Sequence, residues 1–195
     1  MDKLAGIDEQ ALTCGLSLNT LQRDQLNAYC QMLSKWSQRI NLTSVTNSAD
    51  LVRFHFLEGC WVAENFLGAA QTLADVGSGA GFPGLPIKLY RPSVELFLIE
   101  KNYKKSVFLM TLARELGLEV EVFSGHAEKF PCWERVDLAV IRALRPSSEL
   151  LELLAKKGIL LLILHGRDKP HPEGWQLVRR DRFPLSRNRW AALYR

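Results

Sequence analysis

The sequence predicts an α/β fold, a mostly parallel sheet with helices on its faces and an amino-terminal helical extension packed against it. Three observations carry this prediction. From Leu73 onward, short apolar runs alternate with amphipathic segments, the rhythm of strand, crossover helix and parallel strand. A glycine-rich loop from Gly77 to Gly84 directly follows the first of those runs and opens a helix. Before Leu73 the apolar residues recur at steps of three and four, with no strand signal.

At 195 residues and 47% apolar, the chain can bury one sizeable core. Residues 1–70 are expected as the helical extension and residues 71–195 as the main domain, together one structural unit. Asn19 can cap a helix, with Gln22 reaching back as in a capping box. Leu26, Tyr29, Leu33, Trp36 and Ile40 then form one apolar stripe. Asn41-Leu42-Thr43 breaks that helix, and Ser48 starts another running to about Leu67. Strands are predicted at 73–76, 95–100, 120–123, 138–141 and 159–164, with helices at 84–90, 101–116 and 147–155. Gly117 supplies a left-handed helix stop. Segments 175–182 and 189–194 read as two final strands joined by a turn containing Pro184.

Several function classes drop out on composition. The four cysteines (Cys14, Cys30, Cys60, Cys132) are widely spaced, without a CxxC pair or a matching histidine cluster. That argues against a zinc site and a disulfide scaffold, so no metal is expected and a reducing, cytoplasmic setting is. Residues 1–10 carry Asp2, Asp8 and Glu9 and no long apolar run, unlike a signal peptide. The longest apolar run, 159–164, is too short to span a bilayer. The net charge of +4 decides little, but its distribution is uneven. From Arg135 on, thirteen Lys or Arg stand against six Asp or Glu, and Arg179, Arg180, Arg182, Arg187, Arg189 and Arg195 crowd the end. Such a stretch suits a polyanion such as RNA, and equally a solvated basic face.

The loop Asp75-Val76-Gly77-Ser78-Gly79-Ala80-Gly81-Phe82-Pro83-Gly84 carries the most information. A loop between a first strand and its helix needs glycines where the backbone turns sharply and a ligand approaches closely. Two ligands compete for it. Gly79-x-Gly81-x-x-Gly84 satisfies the dinucleotide fingerprint, with Glu100 at the next strand end as ribose acceptor. Asp75-x-Gly77-x-Gly79-x-Gly81 resembles the first motif of S-adenosylmethionine-dependent methyltransferases, and Glu100 serves that reading too. The helical residues ahead of the loop and the antiparallel end favour the second. So does Pro83, which lacks the N–H a pyrophosphate would seek at the helix start.

With these residues in view, the chain resembles the bacterial small-subunit ribosomal RNA guanine-N7 methyltransferases, formerly called glucose-inhibited division protein B. The matching motifs are Lys35-Trp36, Asn41-Leu42-Thr43-Ser44-Val45 and the glycine loop continuing to Leu85-Pro86. Lys104-Lys105 before Phe108-Leu109, Glu128 before Phe130, and Arg142-Ala143 complete the set. The resemblance implies a class I, Rossmann-like methyltransferase fold with a seven-stranded sheet. It places Asp75, Gly77, Gly79, Phe82, Glu100, Ala127, Glu128 and Arg142 around S-adenosylmethionine, with Arg142 at the reaction centre, touching either the guanine or the cofactor. The chain departs from the family where Phe54-His55 replaces an Arg-His pair, Leu57-Glu58-Gly59 replaces Leu-Asp-Ser, and His165 replaces a lysine before Gly166.

The implied reaction methylates N7 of a guanine in 16S ribosomal RNA, guanine 527 in the family. N7 carries a lone pair and no proton, so the chemistry needs positioning and no general base. In A-form RNA this atom lies in a groove too deep and narrow to enter, so the target should be unpaired or flipped out. Lys104, Lys105, Arg145, His165, Arg167 and Lys169 are candidate RNA contacts on or near strand ends. The expected partner is the small ribosomal subunit, and the expected state a monomer. Two rival readings stay open: an NAD(P)-dependent oxidoreductase, and a non-catalytic RNA-binding or ribosome-assembly protein on the same fold.

Overall fold

Strands β1 (Thr72–Val76), β2 (Glu95–Glu100), β3 (Glu121–Ser124), β4 (Leu138–Arg142), β5 (Leu160–His165), β6 (Leu177–Arg182) and β7 (Trp190–Tyr194) form one sheet. This is a computed structural model that describes residues 6–42, 48–168 and 170–195. Strand order is β3-β2-β1-β4-β5-β7-β6. The first five strands are parallel, and β7 runs antiparallel between β5 and β6. Chain order reverses between β1 and β4, which opens a crevice at their carboxyl ends where ligands of such sheets bind. The seven strands lie within two residues of their predicted limits, because each of the central ones is apolar on both faces.

The two faces are covered unequally. On one, helices α1 (Ile7–Thr13), α2 (Thr20–Ser37), α4 (Glu58–Phe66), α5 (Gly84–Tyr90) and α6 (Tyr103–Glu115) share a large core with Leu73, Leu98, Val140 and Leu162. On the other, α7 (Ser148–Lys156) and two short 3₁₀ turns pack on Phe97, Ile141 and Ile163. The Asn19 capping box forms, with Gln22 N–H donating to Asn19 Oδ1 and Asn19 N–H to Gln22 Oε1, both at 2.9 Å. Gly117 ends α6 at φ 65°. Helix α1 has no counterpart in the sequence reading. Its seven residues bury only Ile7 and Ala11 and start from Gly6 without a capping side chain, too little for a periodicity to register.

The predicted helix from Ser48 is interrupted in its winding. Between α3 (Ser48–Leu51) and α4 runs a π-helical turn, Val52–Leu57. Thr43, Ser44, Val45 and Lys169 lie outside the described residues. Among the described residues no helix is long and apolar enough to cross a membrane, and no group of three His, Cys, Asp or Glu could hold a metal ion.

Candidate active site

The loop after β1 is a tight turn in which six N–H groups are already engaged. Gly77 and Ser78 N–H donate to the Ile99 carbonyl of β2, and Gly81 and Phe82 N–H to the Ser78 carbonyl. Gly79 N–H donates to Glu100 Oε2 at 2.8 Å, and Gly84 N–H to Asp75 Oδ2 at 3.0 Å. From the helical layer, the fully buried Tyr29 donates its hydroxyl to the Ala80 carbonyl at 2.6 Å. Its ring stacks on Phe82, centroids 5.1 Å apart. The amino-terminal helices thus brace the turn from below.

Asp75 stands apart from the other residues expected around the cofactor. Asp75 lines neither cavity at the strand ends; it lies under the turn, 1% exposed, as a clamp on Gly84. Burial raises its pKa to about 7, and its Oδ1 has no hydrogen-bond partner. Glu100, at the end of β2, lines the strand-end cavity, its Oε1 accepting from Asn102 N–H at 2.8 Å. Each of its oxygens has one further lone pair for a ligand hydroxyl.

Arg142, at the end of β4, is held by the π-helical turn. Its Nε pairs with Glu58 at 3.1 Å, its Nη2 donates to the Phe54 carbonyl at 2.8 Å, and its Nη1 lies 2.6 Å from His55 Nδ1. The π-turn thus presents the Phe54 carbonyl and the His55 ring to Arg142, and such turns recur at functional sites. Arg189, just before β7, meets the same Glu58 oxygen, Oε2, at 3.2 Å and Oε1 at 3.4 Å. A carboxylate 2% exposed therefore sits between two guanidiniums. Burial works against the charge on Arg142, and Glu58 offsets it.

His55 is lowered to about 2, first by burial and then by Arg142 and Arg189, so it stays neutral. It therefore accepts from Arg142 at Nδ1 and carries its proton on Nε2, which has no partner. A depressed histidine stabilises the fold above the ordinary histidine pKa, and this is lost as pH falls below about 6.5. His55→Asn keeps an acceptor for Arg142. It should therefore cost more stability at pH 7.5 than at pH 5 in urea unfolding; an equal cost at both would contradict the neutral assignment.

Two cavities open at the carboxyl ends of the strands. The larger, about 500 Å³, lies between the glycine turn, Phe82, Glu58, His165, Asn188 and Arg189. The smaller, about 420 Å³, runs between Glu100, Lys101, Ala127, Glu128 and Arg145. Gly77, Arg142 and Ala143 line both, so the cavities meet over the start of the turn. Gly79 lines the larger one. The Ser147 hydroxyl donates to Glu128 Oε1 at 2.6 Å, which chiefly holds that carboxylate below its usual pKa. Of the predicted RNA contacts, His165 and Arg145 line cavities, while Arg167 bonds Asn188 at 3.0 Å. Lys104 and Lys105 sit on the first turn of α6 and line neither.

Sequence reasoning passed over Glu58, His55, Lys101, Asn188 and Arg189 as site residues. Glu58 left a signal, an acid within the apolar stretch Phe54 to Ala63. Such an acid is seldom buried unless paired.

The family model for rRNA small subunit methyltransferase G matches residues 22–172. The chain belongs to this family. A relative named ribosomal RNA small subunit methyltransferase G from Mycoplasma capricolum is 34% identical over 168 residues, 84% of this chain and 71% of the relative. One of the same name from Dehalococcoides mccartyi is 39% identical over 144 residues, 71% of this chain. The chain spans only 61% of that relative's length. Among solved structures, an Aquifex aeolicus S-adenosylmethionine-dependent methyltransferase superposes with a TM-score of 0.52 at 20% identity, covering 64% of this chain and 81% of that one. At that identity the likeness shows the fold, which is that of methyltransferases using this cofactor.

Proposed function

We propose that the chain methylates N7 of a guanine in 16S ribosomal RNA, with S-adenosylmethionine as methyl donor. The observation that carries this reading is the continuous strip from Glu100 and Glu128 across Gly77 to Phe82 and Arg142. The residues there fit the cofactor. Two carboxylates with spare acceptors suit ribose hydroxyls and the adenine end, and the bare glycine backbone leaves room for the methionine end. When bound, the cofactor supplies a methyl group already activated on a sulfonium.

The chain's own part is then positioning. The clamped turn fixes one wall, and the Glu58-bridged guanidiniums of Arg142 and Arg189 fix the other. His55 stays neutral and no proton needs to be removed from N7. The guanine that enters the larger cavity is unpaired or extruded, because N7 in an A-form duplex lies out of a protein's reach. On this reading the chain acts as a monomer in the cytoplasm, where its ribosomal substrate is made.

The dinucleotide reading loses its physical basis. Six N–H groups of the turn, from Gly77 through Gly84, are already bonded within the protein, and Pro83 at the helix start has none. A pyrophosphate would find no nest of free donors. The decisive assay incubates labelled S-adenosylmethionine with unmodified small subunits and maps the modified base. Label at one guanine N7, with adenosylhomocysteine but not NADH raising the melting temperature, is the expected result. Cofactor binding without methyl transfer would instead support an assembly role.

A further inference from the structure

The six arginines of the carboxyl-terminal stretch have different fates in the fold. Arg179 pairs with Asp181 at 2.5 Å and lies over Phe66, on the side of the helical layer. Arg189 turns into the larger cavity toward Glu58, and Arg195 bonds Gln176 at the far end of β7. Arg180 and Arg182 face the other way. Register sets His165, Trp190 and Arg182 side by side across β5, β7 and β6, with Arg180 two residues along the same face. The Arg180 guanidinium lies 4.0 Å from the Trp190 ring centre and that of Arg182 5.9 Å. Exposed Arg167 and Arg187 stand in the loops at this same end of the sheet. Among the described residues, none of these four arginines has a carboxylate within ion-pair distance.

We propose that this end of the sheet is the track along which single-stranded RNA reaches the larger cavity. The proposal rests on the ribosomal RNA reading above and adds the surface that would deliver it. Guanidiniums laid on an indole are ordered in advance; Arg180 Nε donates to His165 Nε2 at 3.4 Å, which fixes it further and leaves its terminal N–H groups to reach phosphate oxygens. Those on alternate residues of one strand stand about 7 Å apart, a regular spacing for a backbone lying across them. A positive surface with an aromatic at its centre is how single strands are bound without sequence readout. The track ends at the cavity: Asn188 and Arg189, in its wall, immediately precede Trp190, and His165, also in its wall, pairs with Trp190.

The test is the double variant Arg180→Gln/Arg182→Gln in the full chain, read in two ways. In turnover with unmodified small subunits, KM should rise at least about tenfold while kcat stays within about twofold. In binding of an unmodified 16S RNA fragment with adenosylhomocysteine present, the slope of log affinity against log salt should fall by about 1.4, two phosphate contacts on a single strand. Unchanged adenosylhomocysteine affinity and melting temperature show that the site and fold are kept. An unchanged KM and salt slope in such a variant would overturn the track. Failure of the wild-type chain to methylate any RNA would sink the activity reading instead, because the binding arm needs no turnover. A wild-type chain that binds no RNA would sink both.

Discussion

Arg142→Ala should lower kcat/KM for small-subunit methylation by about 100-fold or more, the scale of loss when a positioned group moves by an ångström. Arg142 forms the shared wall of both cavities, and Glu58, His55 and the Phe54 carbonyl fix it from three directions. Removing it also leaves Glu58, buried, with Arg189 alone. Breaking a buried pair costs roughly 3 kcal/mol at the low end, which for a chain of this size lowers the melting temperature by about 6–12 °C. Activity and stability therefore fall together, and a second variant separates them. Glu58→Gln in the Arg142→Ala background removes the stranded charge and should recover part of the melting temperature without recovering turnover. Recovered turnover in that double variant would reduce Arg142 to a structural role, and near wild-type activity in Arg142→Ala alone would remove it from the site.

What the sequence could show follows from how local each determinant is. Strand β4, buried along its length, and the turn after β1 are written in consecutive residues, so apolar runs and glycine spacing reveal them. Glu100 and Arg142 stand at strand ends, Gly77, Phe82, Ala127 and Glu128 are implied by the family resemblance, and all six line a cavity. Three things were not local. The partners of Arg142 lie 87 and 88 residues away for His55 and Phe54, on a helix that the periodicity reads as ordinary. Its π-turn is a backbone state that no residue type requires. The engagement of the turn's own N–H groups, which separates the two cofactor readings, emerges only when β2 and Glu100 are packed beside it. Asp75 shows the opposite limit: its position in the motif was legible, but not that its carboxylate turns inward to Gly84.

The turn itself offers the second large effect, in a contrast between two of its glycines. A Cβ on Gly81 would lie 2.4 Å from the Tyr29 hydroxyl and 2.6 Å from Leu85 Cδ1, at φ +95°. Neither neighbour can retreat: Tyr29 is fully buried and bonded to Ala80, and Leu85 is fully buried in the core. Gly81→Ala should therefore cost about 3 kcal/mol from strain and overpacking together, and adenosylhomocysteine affinity should fall with it. A Cβ on Gly79 would meet only the Gly77 carbonyl, at 3.7 Å, with φ +58°. An alanine there costs about 1–2 kcal/mol for the left-handed backbone. Its methyl would stand in the open space over the turn, where the proposed function puts the methionine end of the cofactor. Gly79→Ala should thus remain folded, melting within several degrees of the wild type, yet bind adenosylhomocysteine at least tenfold more weakly. The comparison needs only melting curves and a binding isotherm for each variant. Wild-type affinity in folded Gly79→Ala would mean that no ligand lies against this backbone, and the methyl-donor site would have to be sought elsewhere on the sheet.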